Sequence, residues 1–459
     1  MNYSIKSAND FISSNAKKVN KNYRLKYHMM PPVGWMNDPN GLVKFKDEYH
    51  LFYQFYPYDS KWGPMHWGHF VSKDLISYQD YPVALAPENQ AVESGCFSGG
   101  AIVSKDELHL IYTRHLETKE YKEENIYCAT SRDGIFFQKS ESCLFNPSDL
   151  PLDYSRADFR DPYPVYMNQQ YYIFIGGKKL STNEGVILVL KSKTLSNFKY
   201  DFTIGPFYEL GDMGECPSYH KVGDMDVILV SGCNVKERNN DFKNVNSSVF
   251  ILGHLDLENK RMDVLRIQEI DKGDTFYAPQ FISGEEKPIM VGWLEMWGKR
   301  YPTDEWDHGY VGATTFPREL TWKNNTICQS PVHTIKEYYS KEYPYDGQRI
   351  GCSLDIVAEV GEVFCICFEA FNGNFIIGGN EKGIYLDTKA SNNLNGCIRY
   401  TNEAYGKIQI RILVDQSSVE VFIDEGKETI SSRIYLDGGY EIKSSGMVMN
   451  LMIREVKGV

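Results

Sequence analysis

Asp38 stands in the run Trp-Met-Asn-Asp-Pro-Asn-Gly at residues 35–41, which presents a carboxylate in a setting suited to chemistry. The Pro-Asn-Gly that follows it predicts a tight turn at the end of an extended segment. A carboxylate on so constrained a backbone suits a nucleophile, because covalent catalysis needs it at a fixed distance from one electrophilic carbon. Trp35 would offer an apolar ring face to a sugar. Taken alone, the run is equally compatible with a hairpin turn that exposes an aspartate.

Two further acidic residues lie in short runs of unusual composition. Arg160 precedes Asp161, and a neighbouring guanidinium predicts that this carboxylate stays ionised and only accepts hydrogen bonds. Glu215 lies between glycine and cysteine, and burial among small or apolar neighbours predicts a pKa raised toward that of a general acid. Each run is weak evidence by itself, because ordinary surface ion pairs explain most such residues.

Five short apolar runs recur at intervals of about 60 residues, a period typical of radial repeats. They occupy residues 49–54, 108–113, 171–176, 227–232 and 288–293. A second strand is predicted after four of them, at residues 71–78, 130–137, 191–198 and 251–256. Repeated antiparallel blades of this kind predict a five-bladed β-propeller. The alternative is an all-β protein whose strands are evenly spaced by chance.

A residue whose side chain could take part in catalysis or binding precedes each of these runs by 10 to 12 positions. These residues are Asp38, Ser98, Asp161, Glu215 and Tyr277. The shared offset places each one on the first strand of its blade. Because innermost strands surround the central channel of a propeller, we expect all five residues to converge on one pocket.

The remainder of the chain predicts an all-β fold in two domains with small helical additions. Alternating runs at residues 363–369, 408–414, 418–423 and 447–453 predict a C-terminal β-sandwich. A short helix is predicted within residues 7–18, starting near Asn9 or Asp10, and another at residues 334–341. The predicted divisions are a helical arm (1–22), the propeller domain (23–330), a linker (331–350) and the sandwich domain (351–459).

Composition limits the classes of partner. The 459 residues are 42% hydrophobic and 14% aromatic, enough for two large cores. Lys and Arg total 49 against 61 for Asp and Glu, and the net charge of -12 disfavours nucleic acid or an anionic membrane as partner. A neutral ligand is favoured. A homodimer is left open.

Two features that the sequence lacks, a secretory signal and closely spaced cysteine pairs, give predictions of cellular location and metal content. Residues 1–21 contain no apolar core of a secretory signal, which predicts a cytoplasmic protein, although export without such a signal stays open. Ten cysteines without a Cys-x-x-Cys pair predict reduced, buried thiols and no metal site.

The chain resembles glycoside hydrolase family 32, the β-fructofuranosidases that include invertases and sucrose-6-phosphate hydrolases, from about Tyr23 to its C-terminus. The motifs that carry the resemblance are residues 35–41, 53–57, 62–69, 95–99, 159–162, 215–217, 276–280, 317–320 and 415–422. Nine motifs in the same order along the chain make the resemblance to this family specific. The resemblance implies the five-bladed propeller and β-sandwich already expected.

The resemblance also implies a role for each acidic residue: Asp38 as nucleophile, Glu215 as general acid and then base, and Asp161 as stabiliser of the transition state. It implies no cofactor and no metal. A fructose site would be lined by Asn37, Gln54, Trp62, Phe97, Ser98, Arg160, Cys216, Tyr277 and Trp293. Core packing is the alternative for each of these, and it is strongest for Cys216 and Phe97.

The implied reaction is hydrolysis, with retention, of the terminal non-reducing β-D-fructofuranosyl residue of sucrose or sucrose 6-phosphate. The alternatives are a fructan hydrolase or a fructosyltransferase on the same scaffold, or a fructan-binding protein without catalysis. Gly214 and Ser218 depart from the tryptophan and aspartate that the family commonly has, and Arg114 replaces a glycine. Sucrose 6-phosphate is the expected preference, and the cations suggested for its phosphate are Arg114, Lys299 and Arg300.

Overall fold

β-Branched and aromatic runs separated by Gly, Pro, Asn and Asp form strands throughout the chain. A computed structural model describes residues 3–89 and 91–458, and its strands form a five-bladed β-propeller followed by a C-terminal β-sandwich. The predicted fold class is confirmed. Among the described residues, no helix is long and apolar enough to cross a membrane.

Each blade is an antiparallel sheet whose four main strands follow one another in the chain. The first blade contains β1 (Gly34–Phe45), β2 (Glu48–Tyr56), β3 (His66–Ser72) and β4 (Gln79–Leu85), and the second contains β5 (Gly95–Ser104), β6 (Glu107–Glu117), β7 (Lys122–Ser131) and β8 (Gln138–Lys139). The third contains β9 (Tyr154–Met167), β10 (Gln170–Lys179), β11 (Glu184–Ser192) and β12 (Lys199–Ile204), and the fourth contains β13 (Gly214–Val222), β14 (Met225–Cys233), β15 (Asn246–Asp256) and β16 (Arg261–Glu269). The fifth contains β17 (Tyr277–Phe281), β18 (Ile289–Trp293), β20 (Arg318–Lys323) and β21 (Thr326–Pro331). The short strand β19 (Tyr310–Val311) pairs in parallel with β1, so the chain of the last blade also contacts the first.

The five repeated apolar runs form the second strands of the five blades, as predicted. The further strands predicted at residues 71–78, 130–137 and 191–198 are wrong, because only their first two residues extend a third strand. In the first two of these segments an aspartate closes a turn instead. For example, Asp74 Oδ1 accepts hydrogen bonds from the backbone N–H groups of Ile76 and Ser77, both at 2.9 Å. The run 251–256 does lie in a strand, β15.

A β-bulge interrupts the first strand of every blade near its predicted site residue. The pairing with the second strand shifts register after Met36, Phe97, Arg160, Glu215 and Tyr277. An extra residue at such a point bends the strand and re-aims its side chains. The third, fourth and fifth blades carry a left-handed residue there: Asp161 has φ 65°, Cys216 has φ 49° and Ala278 has φ 48°. The repeat therefore points its functional side chains toward the channel through a repeated backbone irregularity.

The N-terminal helix α1 (Ile5–Asn15) packs on the first blade. It begins before the predicted start near Asn9 or Asp10, because the Ser4 hydroxyl caps it by accepting a hydrogen bond from the Ser7 N–H at 3.1 Å. The other helices are α2 (Pro302–Glu305) and the 3-10 turns η1 (Pro147–Asp149), η2 (Tyr208–Leu210) and η3 (His333–Tyr338). The helix predicted at residues 334–341 is thus a 3-10 turn followed by a strand.

The C-terminal sheet is dominated by two long paired strands, β23 and β30. Its strands are β22 (Tyr339–Pro344), β23 (Ser353–Ala370), β24 (Gly373–Asn380), β25 (Gly383–Asp387), β26 (Ile398–Tyr400), β27 (Ile408–Asp415), β28 (Ser418–Ile423), β29 (Glu428–Arg433) and β30 (Glu441–Val456). Strand β22 lies within the predicted linker and pairs with β30. The four domain boundaries proposed from the sequence remain a proposal.

Two of the family-like motifs join the domains rather than form a pocket. Arg318, fully buried, donates to Glu420 from Nη2 at 2.5 Å and to Asp271 from Nη1 at 2.9 Å. His28 lies 2.8 Å from Asp415 and 2.9 Å from Glu420. Burial alone would lower the pKa of His28, but hydrogen bonds to these two carboxylates raise it. The motifs at residues 317–320 and 415–422 therefore supply the charged pairs of the domain interface.

All ten cysteines are free thiols, but the prediction that they are buried is wrong for six of them. Cys96, Cys128, Cys216 and Cys328 are buried, and the others are half-buried.

Candidate active site

The first strands of the first four blades contribute residues to a cavity of about 330 Å³. Its lining residues are Asn37, Asp38, Gln54, Trp62, Met65, Phe97, Ser98, His115, Glu117, Lys122, Arg160, Asp161, Glu215 and Trp297. The side chains that carry charge are mostly carboxylates. A deep, partly enclosed cavity of this size with convergent polar groups is the usual form of a small-molecule site.

One carboxylate oxygen of Asp38 accepts a hydrogen bond, and the other has no hydrogen-bond partner among the described residues. Its Oδ2 accepts a hydrogen bond from the Ser98 hydroxyl at 2.8 Å, whereas its buried Oδ1 has no hydrogen-bond partner among the described residues. The adjacent Asn37 is fixed by the Trp35 indole N–H, 2.8 Å from its Oδ1. Burial raises the pKa of Asp38 to about 6, although the Ser98 hydrogen bond opposes the shift. A buried carboxylate with an unsatisfied oxygen is typical of a functional site.

Asp161 is linked to Asp38 through the thiol of Cys216. The Cys216 N–H and Sγ lie 3.0 and 3.5 Å from Asp161 Oδ2, and the same Sγ lies 3.7 Å from Asp38 Oδ2. Burial holds the pKa of Cys216 well above its usual value, so the thiol stays protonated. Burial also raises the pKa of Asp161 to about 7. Arg160 opposes this shift, while the negative charge of Glu215 adds to it.

Glu215 is bound by a cation and a phenol. Arg160 donates to its Oε1 from Nε at 3.0 Å and from Nη2 at 2.6 Å, and the Tyr277 hydroxyl donates to its Oε2 at 2.5 Å. Burial by itself would raise the pKa of Glu215, but Arg160 and Tyr277 together hold it below its usual value. Glu215 is therefore ionised at neutral pH.

The structure contradicts both pKa expectations drawn from the sequence. Arg160 was expected to keep its neighbour Asp161 ionised, but the bulge directs its guanidinium to Glu215 instead. The pKa of Glu215 is lowered for the same reason, whereas its apolar sequence neighbours predicted a raised value. Arg160 and Asp161 stand at the bulge and both line the cavity, yet the guanidinium donates its hydrogen bonds to Glu215 and not to its neighbour in sequence.

Comparison with known proteins identifies the family. The sequence model for the N-terminal domain of glycosyl hydrolases family 32 matches residues 28–331, and the model for the C-terminal domain matches residues 359–450. The chain belongs to glycoside hydrolase family 32. It is therefore a glycoside hydrolase, and the resemblance stated from its motifs is confirmed.

Individual relatives cover nearly all of this family 32 chain. A sucrose-6-phosphate hydrolase of Escherichia coli is 32% identical over 432 residues, which are 89% of this chain and 88% of that protein. A raffinose invertase of Escherichia coli is 31% identical over 441 residues, 89% of each chain. The solved structure of a β-fructofuranosidase of Bombyx mori superimposes with a TM-score of 0.89 at 32% identity, covering 99% of this chain and 98% of that one.

The predicted site residues of this family 32 enzyme fall into two layers. Those that line the cavity are Asn37, Asp38, Gln54, Trp62, Phe97, Ser98, Arg160, Asp161 and Glu215. Cys216, Tyr277 and Trp293 are buried behind the wall. Cys216 and Tyr277 act there as hydrogen-bond donors to the carboxylates. Trp293 packs against Trp297, with ring centroids 5.0 Å apart, and its indole N–H has no partner among the described residues.

Five residues line the cavity that were not predicted from the sequence: Met65, His115, Glu117, Lys122 and Trp297. A signal for two of them was present, because His115 and Glu117 follow Thr113 at alternate positions and so share one face of the extended strand β6. Lys122 faces Glu117 across the β6–β7 hairpin. Its place in the cavity depends on a pairing that the sequence does not reveal.

The departures from the family pattern lie outside the cavity. Ser218 is buried and its hydroxyl accepts a hydrogen bond from the Phe281 N–H at 3.2 Å, and Gly214 lies against Val186. The Arg114 guanidinium lies 3.9 Å above the ring of Tyr127.

The other cations suggested for a phosphate are also engaged elsewhere. Lys299 Nζ is 2.6 Å from Asp274 Oδ2, and Arg300 Nε is 2.6 Å from Glu305 Oε1. Arg114, Lys299 and Arg300 are not among the residues that line the cavity, so their assignment to a phosphate site stays a prediction.

The raised pKa of Asp161 predicts that Asp161→Asn stabilises the protein at high pH. A carboxylic acid whose folded pKa of about 7 exceeds its unfolded value favours folding most below the unfolded pKa and loses that contribution as pH rises through about 7. At pH 8 the wild type must keep a buried anion, whereas asparagine is neutral. We expect Tm to rise by about 2–5 °C at pH 8 and to change little at pH 4.

Differential scanning calorimetry at the two pH values checks this prediction. Asp106→Asn, in the exposed turn between β5 and β6, is the control and should leave Tm unchanged at both. An equal change in Tm at pH 4 and pH 8 for Asp161→Asn would contradict the raised pKa.

Proposed function

We propose that this enzyme is a retaining β-fructofuranosidase that releases the terminal non-reducing β-D-fructofuranosyl residue of sucrose or sucrose 6-phosphate. Asp38 attacks the anomeric C2 while Glu215 protonates the departing oxygen, and the bond between C2 and that oxygen breaks. Glu215 then removes a proton from water, which attacks C2 of the fructosyl–Asp38 ester. Fructose leaves with its configuration retained and both carboxyl groups return to their initial protonation states.

The observation that carries this proposal is the convergence of Asp38, Asp161 and Glu215 on one cavity from three different blades. Cys216 donates hydrogen bonds to both Asp38 and Asp161. The guanidinium of Arg160 donates a hydrogen bond to Glu215. Asp161, as an acceptor for ring hydroxyls, is proposed to bind more tightly as positive charge develops on the sugar. Binding without catalysis would not require a nucleophile and an acid in the same cavity.

The proton needed by Glu215 is proposed to come from its neighbouring carboxyl groups. Asp38 and Asp161 have raised pKa values, whereas that of Glu215 is lowered. The three therefore titrate as one group, and the proton that they share lies mainly away from Glu215. Sugar hydroxyls that donate to Asp38 and Asp161 favour the ionised forms of those residues, so substrate binding transfers the shared proton toward Glu215.

The direct test is hydrolysis of sucrose, with glucose and fructose measured separately and the configuration at C2 followed by NMR before mutarotation. We expect equal release of the two sugars and β-fructofuranose as the first product. Initial α-fructofuranose, or binding of sucrose without any hydrolysis, would refute the proposal.

The charge of the cavity bears on the choice between sucrose and sucrose 6-phosphate. Apart from Arg160, which binds Glu215, the Lys or Arg side chain lining the cavity is Lys122. A phosphate on the leaving glucosyl unit would need such a cation to offset the surrounding carboxylates. We propose Lys122 as its binding partner, because it lines the cavity whereas the cations suggested by the sequence do not, although its Nζ also lies 3.0 Å from Glu124 Oε1.

Lys122→Gln tests this assignment. At a pH below the alkaline limb, we expect kcat/KM for sucrose 6-phosphate to fall about tenfold, the cost of one charge-assisted contact, with a change of less than about threefold for sucrose. Lys119→Gln, at the exposed tip of the same hairpin, is the control. Equal losses on the two substrates would exclude Lys122 as the phosphate partner.

We also propose a cytoplasmic location, because a sugar phosphorylated during its uptake is met inside the cell, and no nucleic-acid or membrane partner. Fractionation of cells that produce the enzyme tests the location.

A further inference from the structure

Glu124 is a fully buried carboxylate on β7, behind the cavity wall. Its Oε2 accepts hydrogen bonds from Arg160 Nη1 at 3.2 Å and from the Phe159 N–H at 3.4 Å. Its Oε1 lies 3.2 Å from His115 Nδ1 and 3.0 Å from Lys122 Nζ. No motif of the sequence drew attention to it. Buried charges are costly unless they are paired, so this network must be kept intact in the folded enzyme.

The network leads directly to Glu215. Arg160 donates to Glu215 from Nε and Nη2 and to Glu124 from Nη1, so one guanidinium bridges the two carboxylates. A guanidinium is planar and rigid, and fixing one of its nitrogens fixes the direction of the others. We propose that Glu124 is a positioning residue that orients Arg160 and, by offsetting part of its charge, sets how readily the carboxyl cluster of Glu215 holds its proton. This inference rests on the proposed function of Glu215 as acid and base.

Glu124 remains an anion throughout the working range of the enzyme. Burial alone would raise its pKa, but the hydrogen bond from His115 and the charges of Arg160 and Lys122 lower the pKa to about 2. The side chains that face Glu124 are Arg160, His115 and Lys122. Those that face Glu215 are Arg160, Tyr277, Cys233, Asp38, Asp161 and Cys216. Arg160 is the cation common to both sets.

His115 extends the same network to the cavity surface. Its ring stacks on Phe97 with centroids 3.9 Å apart and an interplanar angle of 7°, and its Nε2 lies 3.4 Å from Glu117 Oε2. Glu124 therefore also holds a wall of the cavity in place. A purely structural role would affect all substrates equally, whereas a role in setting the proton affinity of the cluster would appear in the pH profile.

The test is Glu124→Gln, which keeps the size of the side chain and removes its charge. Arg160 then acts with full charge on Glu215 and Asp161, so the cluster loses its shared proton at lower pH. We expect the alkaline limb of kcat/KM for sucrose to move down by about 0.5–1 pH unit. On an aryl β-fructofuranoside, whose phenolate leaves without protonation, kcat/KM should change less than about threefold. Glu123→Gln, the next residue on β7 and partly exposed, should leave both values unchanged.

Lys122→Gln supplies a second measurement, which remains available if Glu124→Gln does not fold. Removing this cation leaves Glu124 a stronger competitor for Arg160, so the alkaline limb for sucrose should move to higher pH. Alkaline limbs that stay in place in both variants, or equal losses on sucrose and the aryl fructoside, would overturn the role of Glu124. Failure of the wild type to hydrolyse either substrate would instead defeat the proposed function, so the two failures are distinguishable.

Discussion

Asp38→Ala is expected to lower kcat on sucrose by at least about 10,000-fold, a loss typical of removing a covalent nucleophile. No other side chain can take its place. Asp161, linked to it through Cys216, accepts hydrogen bonds from the Cys216 N–H and Sγ at its Oδ2, and Glu215 is held by Arg160. Initial rates of glucose release by purified variant and wild type check the prediction.

The same substitution should leave the fold intact. Asp38 has a pKa raised to about 6 by burial, so its ionised form is unfavourable in the folded protein at neutral pH. Its removal should leave Tm at pH 7 unchanged or higher. Asp59→Ala, an exposed aspartate on the loop before Trp62, is the control and should keep activity. Hydrolysis by Asp38→Ala within about a hundredfold of wild type would exclude Asp38 as the nucleophile.

Glu215→Ala is expected to slow sucrose hydrolysis by a similar factor while impairing an aryl fructoside far less in the first step. The glucosyl unit of sucrose leaves as an alkoxide that needs protonation, whereas a phenolate departs unaided. The alkaline limb of kcat/KM for sucrose, which reports loss of the proton shared by the carboxyl cluster, should flatten in this variant. Rates on the two substrates across the pH range test both effects.

Azide provides the control for the second step. Azide attacks C2 of the fructosyl–Asp38 ester without help from a base, so it should restore turnover of the aryl fructoside by Glu215→Ala and give β-fructosyl azide. It should not rescue Asp38→Ala in the same way. Equal impairment on both substrates, with no azide product, would mean that Glu215 is not the acid and base.

The periodicity of the sequence was sufficient to predict that the three proposed catalytic carboxylates converge on one cavity. Asp38, Asp161 and Glu215 share one offset from the apolar second strands, and the blades bring them together. The predictions hold here because hydrophobic alternation and repeat length are local properties that the fold follows directly. Gln54 and Trp62 were placed in the cavity by the family resemblance alone, and both line it.

What the sequence could not provide depends on pairings between distant segments. The direction of the Arg160 side chain follows from a bulge opposite β10, and it reverses the expected pKa order of Asp161 and Glu215. Glu124 and Lys122 enter the site only through the register of β6 and β7. A pKa is set by all charges and burial around a group, so it requires the three-dimensional arrangement.

Polar turn residues explain why two of the predicted additional strands, at residues 71–78 and 130–137, do not form. Asp74 and Asp133 stand in segments with strand-like composition, but their side chains accept hydrogen bonds from backbone N–H groups two and three residues ahead. Such local bonds compete with the sheet and end the strand.

The central claim is that Asp38 forms a covalent bond to the fructosyl unit, and trapping that ester tests it most directly. Glu215→Ala incubated with an aryl β-fructofuranoside should accumulate the intermediate, because the base for the second step is missing. Peptide mass spectrometry after acid quench locates the adduct. We expect one fructosyl unit on the peptide that contains Asp38, lost when azide is added. A fructosyl unit on any other residue, or release of the phenol with no adduct and α-fructofuranose as the first product, would contradict the two-carboxylate mechanism.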